Sequence, residues 1–229
     1  NREFYVCVYI KYELPKKSYI IDLDRTVAID PNVKNMLAFY STSTAGVIGD
    51  NIGKLLESKN SKIDRLQSFE SKAPNKRIKK TLRRKIIRQY NKREGIRNEI
   101  HWKLVNAILK NYDTITNRQM FNISHSLFRH RLEHKADIQG KRIVVMTEEY
   151  TSKTCSRCGH YNVPTDRSYF CSNCKLSIHR DVNAAKNIMM KGYIELTGED
   201  GPHNITGDNI PSKDSLMRIE YQDIINNIS

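Results

Sequence analysis

The sequence has no run of about 18 or more apolar residues, the length a helix needs to cross a bilayer, and its first residues lack the pattern of a secretion signal. A spanning segment is therefore not expected. No internal repeats are visible. Acid is the scarcer charge: 25 Asp and Glu stand against 39 Lys and Arg, a formal net charge of +14. That excess points to a polyanionic partner, most often nucleic acid. Hydrophobic residues make up 38% of the 229, too many for a disordered chain and enough for a real core in one large domain or two modest ones. Cysteine is also scarce, and four of the five lie together as Cys155, Cys158, Cys171 and Cys174 in a C-x2-C-x12-C-x2-C array. Disulfide frameworks rarely use two such tight pairs, so a reducing, intracellular compartment is expected. Cys7 reads as a small core residue. The chain opens without Met and in mid-pattern, and it is expected to be part of something longer.

Residues 4–10 and 18–23 are rich in β-branched and aromatic residues and read as strands, with a turn at Leu14-Pro15-Lys16-Lys17. Residues 26–30 form a short apolar strand ending on Asp30, and 35–41 its hairpin partner. Residues 42–49 read as a turn and 51–67 as a helix. From Asn75 the apolar period changes: Ile78, Leu82, Ile86 and Tyr90 recur every fourth residue, as do Ile96, Ile100, Leu104 and Ile108 beyond Gly95. One long amphipathic helix, or two joined near Gly95, is implied. A further helix is expected at 119–137, a strand at 143–147 leading into Glu148-Glu149, and a short helix at 181–191. Loop follows from Gly192, with a weak helix at 214–227.

The positive charge is concentrated. Residues 76–97 carry Lys76, Arg77, Lys79, Lys80, Arg83, Arg84, Lys85, Arg88, Lys92, Arg93 and Arg97 against the single acid Glu94, which is ten of the fourteen excess charges. A solvated helix face usually alternates sign to gain i,i+4 pairs. This one repels itself, which fits a face that meets phosphates.

The two C-x2-C knuckles predict a tetrahedral Zn2+ site. Four thiolates close the coordination sphere and leave no position for water or substrate, so the zinc is structural. His160 and His179 are not needed as ligands. Asp30 at one strand end, Glu148 at another and Asp181 at a helix start form a second candidate group. Acids gathered at the end of a sheet hold Mg2+ for phosphodiester hydrolysis. Asp30 also fits a turn acid before Pro31, and Asp181 an ordinary N-cap.

The stretch from Tyr150-Thr151-Ser152-Lys153-Thr154-Cys155 through Cys171-Ser172-Asn173-Cys174 to His179-Arg180-Asp181-Val182-Asn183-Ala184-Ala185-Lys186-Asn187 closely resembles the zinc-ribbon end of TnpB proteins. These are OrfB-type, transposon-encoded RNA-guided nucleases, a group that includes the Fanzor proteins. Ala28-Ile29-Asp30-Pro31-Asn32-Val33-Lys34-Asn35 resembles their first RuvC motif. The resemblance covers residues 25 to 190 and implies a mixed α+β or α/β fold: an RNase H-like (RuvC) core with a long basic helical insertion and an inserted four-cysteine zinc ribbon. It divides the chain into last strands of an N-terminal recognition or wedge domain (1–24), a nuclease core with basic helices at 75–110 (25–150), the ribbon (151–177), the last RuvC segment (178–191) and a polar tail (192–229).

Carried over residue by residue, Asp30 and Asp181 are Mg2+ ligands, and the basic helix lies along guide RNA or an RNA–DNA heteroduplex with target DNA. The second acid departs from the usual pattern. It normally follows a strand near Tyr112-Asp113-Thr114-Ile115 in an E-D-L-like segment, whereas Thr116-Asn117-Arg118-Gln119 stands there. Either Glu148, with Glu149 the fallback, replaces it as in Fanzor-like members, or residues are missing between Ile115 and Thr116. The implied function is an RNA-guided, Mg2+-dependent DNA endonuclease using a two-metal mechanism. The competing readings are a non-catalytic zinc-ribbon nucleic-acid binder and a transposase or its accessory protein. The resemblance implies residence in the nucleus for a eukaryotic or viral Fanzor-like protein and in the cytoplasm otherwise.

Overall fold

The computed structural model describes residues 13, 15, 21–32, 35–49, 52–118, 123–146, 151–164, 166–198 and 217–219. The chain first lays down an antiparallel meander, β1 (Thr26–Pro31), β2 (Leu37–Tyr40) and β3 (Ala45–Ile48). A helical hairpin follows, α1 (Ile52–Ser71) and α2 (Lys76–Asn111), and returns the chain to β4 (Thr114–Arg118), parallel to β1. A second crossover through α3 (Ile123–Ile138) brings in β5 (Arg142–Met146), parallel to β4. Then come the small hairpin β6 (Ser168–Phe170) and β7 (Ser177–His179), the helix α4 (Arg180–Thr197) and an edge strand β8 (Met217–Ile219) beside β3. The main sheet has the order β5-β4-β1-β2-β3-β8.

Side chains alternate across a strand, and the two cores follow from that. Val27, Ile29, Leu37, Phe39 and Ile115 pack with Ile100, Leu104, Val105 and Ile108 of α2 and with Phe128 and Leu132 of α3. Ala28, Ala38, Tyr40 and Val47 point to the other face and pack with Val182, Ala185, Ile188 and Met189 of α4 and with the cysteine module. Small residues on this second face let α4 lie close to the sheet. The approach is tightest at Gly192, where a Cβ would stand 2.2 Å from Cγ2 of Thr116 on β4. Lys186 is fully buried on the same face, its Nζ 5.6 Å from the ring centroid of Tyr40, a cation–π contact that offsets part of the cost of burying the amine.

α2 is a single helix about 54 Å long at 1.5 Å per residue, started by Asn75, whose side chain accepts from the Ile78 amide at 2.9 Å. Its last third is buried against the sheet, and its first two thirds pair with α1 in a hairpin outside the core. Gly95 interrupts nothing, since no atom lies within 4 Å of where its Cβ would be.

Several expectations need correction. Residues 42–49 hold a strand, β3, because Ala45 and Gly46 mask the strand character of Val47 and Ile48. No strand covers Ile21–Leu23: Leu23–Arg25 is a 3-10 turn capped by the Asp22 side chain. The last helix runs past Gly192 to Thr197 and stops at Gly198, whose φ of 71° is the left-handed cap; Gly192 serves close packing instead of termination. Met217–Ile219, expected in a weak helix, forms β8. Thr114–Arg118, which carry little strand signal in sequence, form β4, paired to β1 and β5 on its two sides. The strand expected at 4–10 and Cys7 lie outside the described residues, as do residues 119–122 of the helix expected at 119–137, Glu148, Glu149 and the tail at 199–216 and 220–229.

Candidate metal centres and nucleic-acid face

The cysteine module is two copies of one turn. In each, the first cysteine's amide donates across the knuckle, Cys155 to His160 O and Cys171 to Leu176 O, both at 2.9 Å. The residue after the second cysteine turns back to the first, Gly159 donating to Cys155 O at 2.9 Å and Lys175 to Cys171 O at 3.0 Å. Both of these residues are left-handed, with φ of 73° and 61°. The four sulfurs lie within 4.8 Å of one another, with Cys155–Cys174 and Cys158–Cys171 at 3.6 Å. A tetrahedral Zn2+ with bonds of about 2.3 Å needs sulfur–sulfur edges of about 3.8 Å, so the set is compatible with zinc and far too open for a disulfide. Burial pushes the Cys155 thiol up to about 12, whereas the His160 backbone N–H, the larger influence on Cys158, holds that thiol down at about 6.

The ribbon is fastened to α4 by two asparagines one turn apart. Asn183 accepts from the Ser156 amide at 3.0 Å and donates to Thr154 O at 2.8 Å. Asn187 donates to Thr151 O at 2.8 Å and Thr154 O at 2.7 Å. Polar residues at i and i+4 on the apolar face of a helix are the signal that could have identified them. β7 runs directly into α4, and the Arg180 amide donates to Arg167 O at 2.8 Å. The start of α4 is therefore set by the ribbon hairpin.

That start carries Asp181. The N-cap is His179, whose Nδ1 accepts from the Asp181 amide at 3.3 Å, so Asp181 lies inside the first turn instead of capping it. There the helix dipole favours its carboxylate. Asn32, two residues beyond Asp30, donates to Asp181 Oδ2 at 3.1 Å, while its own Oδ1 accepts from the Asn35 amide at 2.8 Å, which fixes the way the amide faces. Arg180 Nε stands 3.3 Å from Asp181 Oδ1. Asp30 is within β1, on the face that Ala28 gives to α4, and only 3% exposed. Its Oδ1 lies 2.7 Å from Arg118 Nε, an ion pair whose angle falls outside hydrogen-bond geometry. Through Asn32 the start of α4, with Asp181, is tied to the end of β1, which carries Asp30. The two acids offer hard oxygen donors suited to Mg2+; among the described residues, the four cysteines are the group of three or more candidate ligands that converges. Asn32 and Arg118 escaped the sequence reading: Asn32 sits in a segment that reads as a turn, and Arg118 announces itself only as the missing acid.

Along α2, Lys76, Arg77, Lys80, Arg83, Arg84, Lys85, Arg88 and Lys92 are exposed, and Lys79, Arg93 and Arg97 are half-buried. Arg83 pairs with Glu70 at 2.9 Å, Arg93 bonds Asn60 at 2.9 Å and stacks on Tyr90, and Arg97 pairs with Glu94.

Residues 125–188 match the family model described as Cas12f1-like, TNB domain. A candidate transposase of Paramecium bursaria Chlorella virus 1 is 29% identical over 185 residues, 72% of this chain and 43% of that protein. A TnpB-like protein of Acanthamoeba polyphaga mimivirus is 26% identical over 223 residues, 81% of this chain and 43% of that one. The chain therefore spans less than half the length of these curated relatives. In fold it is similar to a chain of the cryo-EM structure of a Cas12f1–sgRNA–target DNA complex, with a TM-score of 0.54 at 22% identity over 74% of this chain and 50% of that one.

Proposed function

We propose that this chain, a TnpB-type family member by its similarity to the Cas12f1-like TNB model and to TnpB-like relatives, is the nuclease portion of an RNA-guided, Mg2+-dependent DNA endonuclease of transposon origin. The observation that carries the proposal is the hydrogen bond from Asn32, two residues beyond Asp30, to Asp181, which ties the start of α4 to the end of β1. The strand order β3-β2-β1-β4-β5, with β2 alone antiparallel to its neighbours, supports an RNase H-like core of the RuvC kind. The four-cysteine ribbon inserted before α4 supports the same reading.

In this reading Asp30, Asp181 and Glu148 would hold Mg2+, which when bound would polarise the scissile phosphate and activate the attacking water. Asn32 keeps Asp181 turned toward that end of the sheet, and the ribbon keeps the start of α4 in place. The basic face of α2 holds the phosphate backbone of guide RNA or heteroduplex through sequence-independent contacts, while base pairing selects the DNA. Nuclear residence follows if the host lineage is Fanzor-like, and cytoplasmic residence otherwise.

Protein purified with its co-expressed RNA should cut a plasmid target in Mg2+. Asp30→Ala and Asp181→Ala should lose cleavage at least about a thousandfold, the scale on which removing a preorganised charge acts on a transition state, and still carry RNA. Cleavage by either variant would remove it from the metal site. Arg118 beside Asp30 favours one alternative, a nucleic-acid binder with a neutralised site. That alternative predicts RNA association and no cleavage by the unaltered protein.

A further inference from the structure

One charged group at the site has no role in the cleavage proposed above, the reading on which the present inference rests. β4 ends on Arg118, and the parallel register that sets Asn117 opposite Ile29 brings Arg118 level with Asp30. Its side chain is 16% exposed and that of Asp30 4%. Arg118 Nε stands 2.7 Å from Asp30 Oδ1, and Nη2 donates to Pro31 O at 3.1 Å. One guanidinium therefore holds both the carboxylate and the backbone beside it.

A divalent ion needs the same carboxylate oxygens. A cation placed beside a fixed guanidinium is repelled, and the repulsion is strongest where burial lowers the dielectric response. A nucleic-acid phosphate relieves this, because arginine binds phosphate through two parallel hydrogen bonds. We propose that Arg118 is an internal counter-cation on Asp30 that keeps divalent affinity low until a nucleic-acid backbone draws the guanidinium away. Metal loading and nucleic-acid binding are then coupled, and each strengthens the other by the same factor. Arg118 is in this account a positioning residue for Asp30.

The test is Mn2+ binding to the zinc-loaded protein, followed by the electron paramagnetic resonance signal of free Mn2+, with no cleavage involved. Arg118→Gln should bind Mn2+ about tenfold more tightly than the unaltered protein, a modest outcome for removing one nearby charge. Arg118→Lys keeps the charge and should retain the weaker affinity. A short phosphorothioate DNA duplex should tighten Mn2+ binding to the unaltered protein and change Arg118→Gln little. Should the Gln variant not fold, Arg118→Met gives the same comparison. Equal or weaker Mn2+ binding by the charge-removing variant, with binding still abolished by Asp30→Asn, would overturn the proposal and leave the metal site standing. Binding indifferent to Asp30→Asn in every background would overturn the metal site itself, and the proposal with it.

Discussion

Burying a carboxylate as deeply as Asp30 requires a nearby positive charge or several hydrogen bonds, and Arg118 supplies the charge at 2.7 Å. Asp181 is easier to keep, since a helix start and the Asn32 amide both favour it. The same arithmetic applies at smaller scale to Asp113, where the bases of three strands meet. Its amide donates to Arg25 O at 2.8 Å and its carbonyl accepts from the Arg142 amide at 2.9 Å. Its carboxylate is held down at about 2, chiefly by its hydrogen bond from Arg25, with Lys141 adding to the effect. Because the folded value lies below the unfolded one, this stability is present above about pH 4 and is lost as pH falls toward 2. The group is nearly half exposed, so Asp113→Asn should lower stability by less than about 1 kcal/mol at neutral pH. The two proteins should converge near pH 2, as read by denaturant unfolding across pH. Lys175 offers a test of opposite sign. A non-glycine residue in the left-handed region costs about 1 kcal/mol, so Lys175→Gly should leave the zinc-loaded protein equally stable or more stable by about that amount. A lower unfolding midpoint would mean that its side chain holds the knuckle more than its backbone strains it.

At the scale of elements, the ribbon and the helical hairpin make separable contributions. Cys155→Ser should abolish stoichiometric zinc, lower the unfolding temperature and disturb the start of α4, because β7 passes into α4 without a linker. Metal analysis with a thermal scan checks this, and a variant that keeps one zinc per chain would contradict it. The hairpin should behave differently. Replacing Lys76, Lys80, Arg84 and Arg88 with Ala should leave folding intact and lower the slope of log affinity against log salt by about 3, since each phosphate that a cation neutralises adds about 0.7–0.9 to that slope. An unchanged slope would make this face a solvated one. These elements were legible for physical reasons: α2 declared itself through an apolar period and a run of like charge, and the ribbon through cysteine spacing. β3 and β4 were harder to see. Gly46, Thr114 and Thr116 carry little apolar signal, and their strands form because the sheet needs partners on both sides of β1 and β2. The true end of α4 was hidden because Gly192 looks like a stop in sequence and packs against Thr116 in space.

At the scale of the whole molecule, the chain is a sheet with a different task on each face. One face is closed by α2 and α3, the first of which extends outward into the basic hairpin; the other is closed by α4 and the ribbon, which set Asp181 against the end of β1. The proposed catalytic acids could be named from sequence because the motifs around Asp30 and Asp181 resemble a known pattern. Their supports could not, since Asn32, Arg118, Asn183 and Asn187 act through contacts between distant segments. Asp30, Asp181 and Glu148 are proposed to serve one hydrolytic site guided by RNA. The most direct test of this proposal is Mg2+-dependent cleavage of a plasmid target by protein purified with its co-expressed RNA, run beside Glu148→Ala. The unaltered protein should cleave and the variant should not, with RNA retained by both. Cleavage undiminished in the variant, or none by either with RNA still bound, would contradict the proposal.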